Sequence, residues 1–290
     1  MLSAVLASLR PRQWIKNLFV FGGLIFAQQL FFPPAVWTAL GAFVIFCGLS
    51  GAIYLLNDVA DRDKDRLHPD KRLRPIASGR LPVPAALGAA LVLIGGGLAA
   101  ATWLSLPFAV VALAYVVLLS AYSAWLKHIV IVDVLVVAIG FVLRAVAGAL
   151  AISVAISGWL LICTILLALF LALGKRRHEV LALGEAAARH RPILAEYSAA
   201  LLDQMIAVVT ASTVTAYALY TMSPETVAKF QTPLLPVTLP FVLYGIFRYL
   251  YLLYRRQLGG NPTDIVLRDR ALLLNSLLWL AVVLVLLYGG

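Results

Sequence analysis

Four oxygen-bearing side chains, Asn57, Asp58, Asp61 and Asp65, are spaced to share one face of a helix. They lie in the run Asn57-Asp58-Val59-Ala60-Asp61-Arg62-Asp63-Lys64-Asp65. Residues three and four apart stack along a helix, so a helical run would line these groups up. Carboxylates gathered in this way repel one another unless a cation sits among them. Mg2+ commonly takes one or two carboxylates and completes its octahedron with water and substrate phosphate. The chemistry on offer is capture of a divalent cation by Asp58, Asp61 and Asp65, and with it a phosphorylated substrate. A solvated helix end neutralised by Arg62, Lys64 and Arg66 would account for an arbitrary run of this kind. This run, however, continues a long apolar segment without a break. Ionisable groups at the mouth of a membrane bundle are usually functional.

The next stretch carries the complementary charge. Lys71, Arg72 and Arg74 belong to a basic loop punctuated by Pro75 and Gly79. Guanidinium forks beside a metal can clamp the other side of a pyrophosphate. Basic residues that only set membrane topology are the plainer account of the same loop. His68 reads as a loop histidine. No Ser/His/Asp or Cys/His arrangement points to a nucleophile. Cys47 and Cys163 sit in apolar runs and suggest neither a disulfide framework nor a CxxC site.

The elements that must hold these groups are membrane helices. Of 290 residues, 63% are hydrophobic and 12% charged, against about 25% charged in soluble domains. A spanning helix needs about 20 apolar residues. Nine segments qualify, roughly 14–32, 36–57, 83–104, 107–126, 129–151, 158–174, 202–222, 234–254 and 270–289. With the N-terminus inside, every Lys and Arg except Lys229, Arg144 and Arg248 falls at the inner face. That bias predicts a cytoplasmic N-terminus in the inner cell membrane, with active loops at about 58–82, 175–200 and 255–269. The net charge of +10 is thus topogenic. It is split among short loops and does not point to nucleic acid. Arg10, Arg12 and Lys16 precede an apolar run with no small-residue cleavage site, which reads as a retained first helix. The expected fold is all-α and integral to the bilayer, a single domain over 1–290.

At the aspartate run the sequence resembles the UbiA superfamily of intramembrane prenyltransferases. Its NDxxDxxxD signature corresponds to Asn57-Asp58, Asp61 and Asp65. A loop similar to RPIxSG follows as Arg74-Pro75-Ile76-Ala77-Ser78-Gly79. The resemblance implies nine helices around a central cavity that opens to the cytoplasmic face. A narrower resemblance, to the decaprenyl-phosphate phosphoribosyltransferase branch, covers nearly the whole chain. It is carried by Arg10-Pro11-Arg12-Gln13-Trp14-Ile15-Lys16-Asn17, by the stretch from Asp65 to Arg72, and by Tyr122 to Lys127. Gly174-Lys175-Arg176-Arg177, Phe247-Arg248-Tyr249 and Leu267-Arg268-Asp269-Arg270 fit as well. The chain departs from the general UbiA pattern after the sixth helix. A second aspartate motif is usual there; here Lys175, Arg176 and Arg177 stand in its place. That implies one metal stripe and a basic patch for a bare phosphate.

The branch resemblance implies transfer of a phosphoribosyl group from phosphoribosyl pyrophosphate to a polyprenyl phosphate, giving a lipid-linked precursor for cell-envelope glycan. Mg2+ on Asp58, Asp61 and Asp65 would hold the pyrophosphate, and Asn57 would orient metal waters or a ribose hydroxyl. Lys71, Arg72 and Arg74 would neutralise the leaving group. Arg12, Lys16, Lys175, Arg176 and Arg177 are the candidate phosphate grips. Tyr122 and Lys127 end the fourth span at the same face. Asp133, expected about one and a half turns into the fifth, needs a partner such as Lys127 or a ribose hydroxyl. Arg144 is expected in the interior or snorkelling from its span, while Asp203 would cap the seventh span or face the site. Asp264, Arg268 and Asp269 suit salt bridging in the last inner loop. A homo-oligomer is neither required nor opposed. Two readings compete. An aromatic polyprenyltransferase would place a prenyl diphosphate on the stripe, but lacks its second acidic motif here. A lipid or ion transporter would carry ionisable groups near mid-membrane at a broken helix, whereas the charge here gathers at one mouth.

Overall fold

Prolines and small polar residues set where the helices begin. Pro33-Pro34, Pro107, Pro224 and Pro262 occupy first turns, where a missing N–H leaves no intrahelical bond unmade. Ser198 Oγ accepts the Leu201 N–H at 3.1 Å, and Asp269 Oδ1 accepts the Leu272 N–H at 2.8 Å. Both satisfy donors that a helix start leaves open.

The structure is a computed structural model that describes residues 1–67, 71–183 and 192–289. Every regular element among the described residues is helical. A short α1 (Leu2–Ser8) leads into a 3-10 helix, Pro11–Phe21, and α2 (Gly22–Phe26). There follow α3 (Pro33–Ala60), α4 (Arg62–Leu67), α5 (Val83–Leu104), α6 (Leu106–Ala124) and α7 (Val132–Ala151). The chain continues as α8 (Gly158–Leu183), α9 (Ala199–Met222), α10 (Pro224–Phe230), α11 (Leu239–Tyr254), α12 (Pro262–Arg268) and α13 (Arg270–Tyr288). Among the described residues, eight helices are long and apolar enough to cross a membrane: α3, α5, α6, α7, α8, α9, α11 with its preceding 3-10 turn, and α13.

Three boundaries differ from the sequence expectation. The segment 14–32 is not one α-helix: its first part is the 3-10 helix, and α2 ends at Phe26. A 3-10 helix rises about 2.0 Å per residue against 1.5 Å for an α-helix. Pro11–Phe26 therefore extends about 30 Å, longer than its residue count suggests. Second, α8 runs on to Leu183, so Lys175, Arg176 and Arg177 lie within a helix rather than opening a loop. Third, α7 starts at Val132 after Ile131, whose φ is +69°. Asp133 thus sits in the first turn of α7, not one and a half turns inside. His68, Arg189 and Arg191 lie outside the described residues, as do parts of the loops at 58–82 and 175–200.

Two compact units divide the chain, Met1–Ile156 and Ser157–Gly290. In the first, α3 and α7 are central: 56% of the apolar window of each is buried, against 11% for α5, which turns most of its surface outward. Phe46 packs on Phe108 and Tyr115, with ring centroids 5.8 and 5.1 Å apart. Val20, from the 3-10 helix, is fully buried in this core with Leu49, Ala112 and Ala147. Gly148 allows that approach, since a Cβ there would lie 1.8 Å from the Val20 carbonyl oxygen. In the second unit α8 packs on α9, and α11 on α13. The Tyr217 hydroxyl shares a hydrogen bond with Thr238 and accepts the Trp279 N–H at 2.9 Å.

Candidate active site

The aspartate stripe survives a break between two helices. Asn57 and Asp58 belong to the last turn of α3, Asp61 is its C-cap and Asp65 lies in α4. The Asp61 N–H still donates to Asn57 O at 2.9 Å, and the Asp65 N–H to Asp61 O at 2.8 Å. Helical spacing therefore carries through the cap. Asp58 and Asp65 are buried, at 2% and 3% exposure, whereas Asn57 and Asp61 are half-buried.

Three basic side chains converge on these carboxylates. Arg74 comes from the loop before α5. Ile76 and Leu81, each 1% exposed, anchor that loop against Leu55, Ala86 and Ala90. Gly79, at φ +80°, makes the turn between them, and Arg66 Nε donates to Ala77 O at 3.1 Å. So held, Arg74 Nη1 donates to Asp58 Oδ1 at 3.0 Å and to Asp65 Oδ2 at 2.6 Å. Arg10 Nη2 reaches Asp58 Oδ1 at 2.5 Å, with its guanidinium 4.8 Å from the Tyr54 ring centroid. Lys127, buried in the 3-10 turn Leu126–His128, donates to Asp61 Oδ1 at 2.8 Å.

Arg10 is the residue that sequence reasoning left without a site role, reading it as a topogenic charge within the opening motif. It occupies the left-handed region, φ 53° and ψ 63°, immediately before Pro11 at the start of the 3-10 helix. Strained backbone of this kind clusters at functional sites. No sequence pattern signals this role, because Arg10 meets Asp58 across 48 positions.

Among the described residues no group of three or more His, Cys, Asp or Glu side chains gathers as a metal cage. The donor set nevertheless fits a hard cation. Asp58 Oδ1 and Asp65 Oδ2 both face one positive point, Arg74 Nη1, so a guanidinium nitrogen stands where a divalent ion would find two carboxylates. Asp61 is turned to Lys127 instead.

The remaining candidates in this unit are spread around the same loops. Lys71 and Arg72 are exposed on the 3-10 turn Lys71–Leu73. Arg12 is exposed and Lys16 half-buried on the 3-10 helix Pro11–Phe21. Tyr122 is half-buried in the last turn of α6, and Asp133 is fully buried. Arg144 is interior, as expected. Its Nε donates to Asn17 Oδ1 at 2.8 Å, Nη1 to Gly140 O at 2.8 Å and Nη2 to the Tyr115 hydroxyl at 2.7 Å. Asn17 in turn donates to Ser50 Oγ at 3.2 Å. This network ties the 3-10 helix to α3, α6 and α7.

In the second unit the residues of the expected basic patch pair with acidic side chains. Arg176, buried, lies 2.5 Å from Glu179, and Lys175 lies 3.6 Å from the same carboxylate. Arg177 Nε donates to Asp203 at 2.5 Å and stacks over Tyr254, 3.9 Å from its ring centroid. Asp203 also accepts the Tyr254 O–H at 2.8 Å. It does not cap α9, a role that Ser198 fills. Beside Asp203 and Tyr254 a cavity of about 730 Å³ runs between α9 and α11, lined by Ile206, Thr210, Leu243 and Phe247 among others. Arg248 holds Asp269 at 2.8 and 3.2 Å. Those hydrogen bonds, aided by the Leu272 N–H and opposed by burial, hold the Asp269 carboxyl below its ordinary pKa. Asp264 accepts from Asn261 at 2.8 Å.

The UbiA prenyltransferase family model matches residues 17–263. The chain belongs to the UbiA prenyltransferase family. Relatives similar over almost its whole length include decaprenyl-phosphate phosphoribosyltransferase of Mycolicibacterium smegmatis, 30% identical over 98% of this chain and 92% of that protein. The Corynebacterium glutamicum protein of the same name is 33% identical over 98% of this chain and 86% of its own length. A solved UbiA homologue from Archaeoglobus fulgidus bound to GPP and Mg2+ superposes with a TM-score of 0.73 at 19% identity, covering 98% and 99% of the two chains. At that identity the likeness is one of fold, and it makes this all-helical membrane chain UbiA-like in architecture.

Proposed function

We propose that this UbiA-family protein transfers a 5-phosphoribosyl group from phosphoribosyl pyrophosphate to a polyprenyl phosphate and releases pyrophosphate. One observation carries the reading. Among the described residues there is one carboxylate stripe, and where a second acidic motif would serve a prenyl diphosphate the chain has Lys175, Arg176 and Arg177 within α8. The full-length similarity to proteins named for this activity supports it.

Asp58, Asp61 and Asp65 would hold Mg2+, which when bound neutralises charge on the leaving pyrophosphate. Asn57 would orient its waters or a ribose hydroxyl. Arg74, with Lys71 and Arg72 beside it, would clamp the pyrophosphate as the anomeric C–O bond breaks. An oxygen of the lipid phosphate attacks that carbon and forms the new C–O bond. This oxygen is already largely ionised near neutral pH, so no general base is needed. Arg12, Lys16, Lys175, Arg176 and Arg177 would grip the phosphates, and Tyr122 and Asp133 would face the ribose. The apolar cavity between α9 and α11 suits part of an isoprenoid tail.

The 3-10 helix with α2 is about as long as the hydrocarbon core is thick, roughly 30 Å. We read it as a ninth crossing, with the N-terminus and the aspartate run on the cytoplasmic side of the inner membrane. The family match spans residues on both sides of Ile156, which supports one functional domain over 1–290. Transfer of a prenyl group to an aromatic acceptor is the second reading, favoured by the fold likeness to a homologue bound to GPP.

The test is pyrophosphate release by the purified chain with Mg2+. Release is expected only when phosphoribosyl pyrophosphate and polyprenyl phosphate are both present. Release from a prenyl diphosphate with an aromatic acceptor, and none from the sugar donor, would refute the reading.

A further inference from the structure

The aspartate stripe is charge-balanced from within. Asp58, Asp61 and Asp65 bring three negative charges, and Arg10, Arg74 and Lys127 bring three positive ones at 2.5–3.0 Å. Asp58 and Asp65 are buried, and a buried carboxylate stripped of its partner is strongly disfavoured. A lone divalent cation entering this cluster meets a net charge of zero and repulsion from three nearby bases. It can take the carboxylates only by breaking the ion pairs they make with Arg10, Arg74 and Lys127. A diphosphate changes the balance, because its oxygens accept guanidinium forks as readily as carboxylates do. Arg10 and Arg74 have side chains about a quarter exposed, 27% and 26%, which leaves them room to turn.

We propose that Arg10, Arg74 and Lys127 are internal counter-ions of the aspartate stripe, exchanged for a metal ion only when a diphosphate arrives to receive them. Metal and diphosphate then bind with positive coupling, and Arg10 passes from Asp58 to the diphosphate as a binding residue. This rests on the reading of the stripe as a metal–diphosphate site, without depending on which group the diphosphate activates.

The experiment measures, by equilibrium dialysis with radioactive manganese, the binding to the full purified chain of Mn2+ alone and of preformed Mn2+–pyrophosphate. The wild type should bind the complex at least about tenfold more tightly than Mn2+ alone, within the usual range of coupling between sites. Arg74→Met and Arg10→Met should bind lone Mn2+ about tenfold more tightly than wild type and the complex more weakly. Arg74→Lys keeps the charge but not the fork. It should match wild type for lone Mn2+ and still weaken the complex. Wild type binding lone Mn2+ as tightly as the complex would overturn the proposal, as would Met variants that lose affinity for both. The wild-type comparison decides even if a variant fails to fold. Because pyrophosphate is common to sugar and prenyl donors, absence of phosphoribosyl transfer would leave the coupling standing. A tight lone-metal site would remove the coupling and leave the transfer untouched.

Discussion

Gly148→Ala should unfold this protein earlier by a clash that can be worked out in advance. The added Cβ would lie 1.8 Å from Val20 O and 2.6 Å from Val20 C. A carbon approaches a carbonyl oxygen to about 3.3 Å at best, so one backbone must retreat by about 1.5 Å. Neither is free to do so cheaply. Val20 is fully buried, and Asn17, one turn of 3-10 helix earlier, is fixed to Arg144 at 2.8 Å. Overpacking of this kind costs about 1–3 kcal/mol. Gly88 is the control: it lies within α5 and a Cβ there meets nothing within 4 Å. Gly88→Ala should gain about 0.5–1 kcal/mol from reduced freedom of the unfolded chain. The two variants should therefore bracket the wild type, separated by about 1.5–4 kcal/mol. Thermal unfolding of the purified protein in detergent, followed by circular dichroism, reads the order directly. Gly148→Ala melting at or above Gly88→Ala would refute the packing argument.

Three further outcomes follow from the site. Asp61→Asn and Asp65→Asn should each lower turnover at least about 100-fold, the loss usual for an electrostatic catalytic group, with an unchanged elution volume in detergent; wild-type turnover in both would remove them from the metal site. Lys175→Ala should raise KM for one phosphorylated substrate by about tenfold, since a hydrogen bond to a charged group is worth about 1.5–3 kcal/mol, and an unchanged KM for both would end its role as a phosphate grip. The Asp269 carboxyl titrates below its unfolded value of about 3.9, so its contribution to stability is fully present above that value and is lost as pH falls through the lower folded one. Asp269→Asn should accordingly flatten the decline in melting temperature below pH 4 and leave the range from pH 6 to 7 unchanged in slope; equal acid sensitivity in variant and wild type would contradict it.

Local signals in the sequence were easiest to interpret. The aspartate spacing survives in the structure because i to i+4 hydrogen bonds bridge the cap at Asp61. The span over 83–104 coincides with α5, bounded by Pro82 and an extended Ser105. Less legible were features that depend on contacts distant in sequence. Arg10 meets Asp58 across 48 positions, and Arg144 meets Asn17 across 127; no periodicity announces either pair. The end of α8 was missed for a different reason. Hydropathy falls at Lys175, but Lys, Arg, Glu and Leu are all good helix formers. Glu179 pairs with Lys175 and Arg176 one turn away, so the helix continues where the apolar run stops. The 3-10 form of Pro11–Phe21 was not legible, because apolar length marks a candidate span without fixing its helix type.

The account turns on which lipid product this UbiA-family chain makes. Both donor–acceptor pairs can be offered to the purified protein in one vessel with Mg2+. One pair is phosphoribosyl pyrophosphate labelled in the 5-phosphate, with polyprenyl phosphate. The other is polyprenyl diphosphate with a phenolic acid carrying a different label. The account predicts that only the 5-phosphate label enters the solvent-extracted lipid, in step with pyrophosphate release. Entry of the phenolic label alone would contradict it.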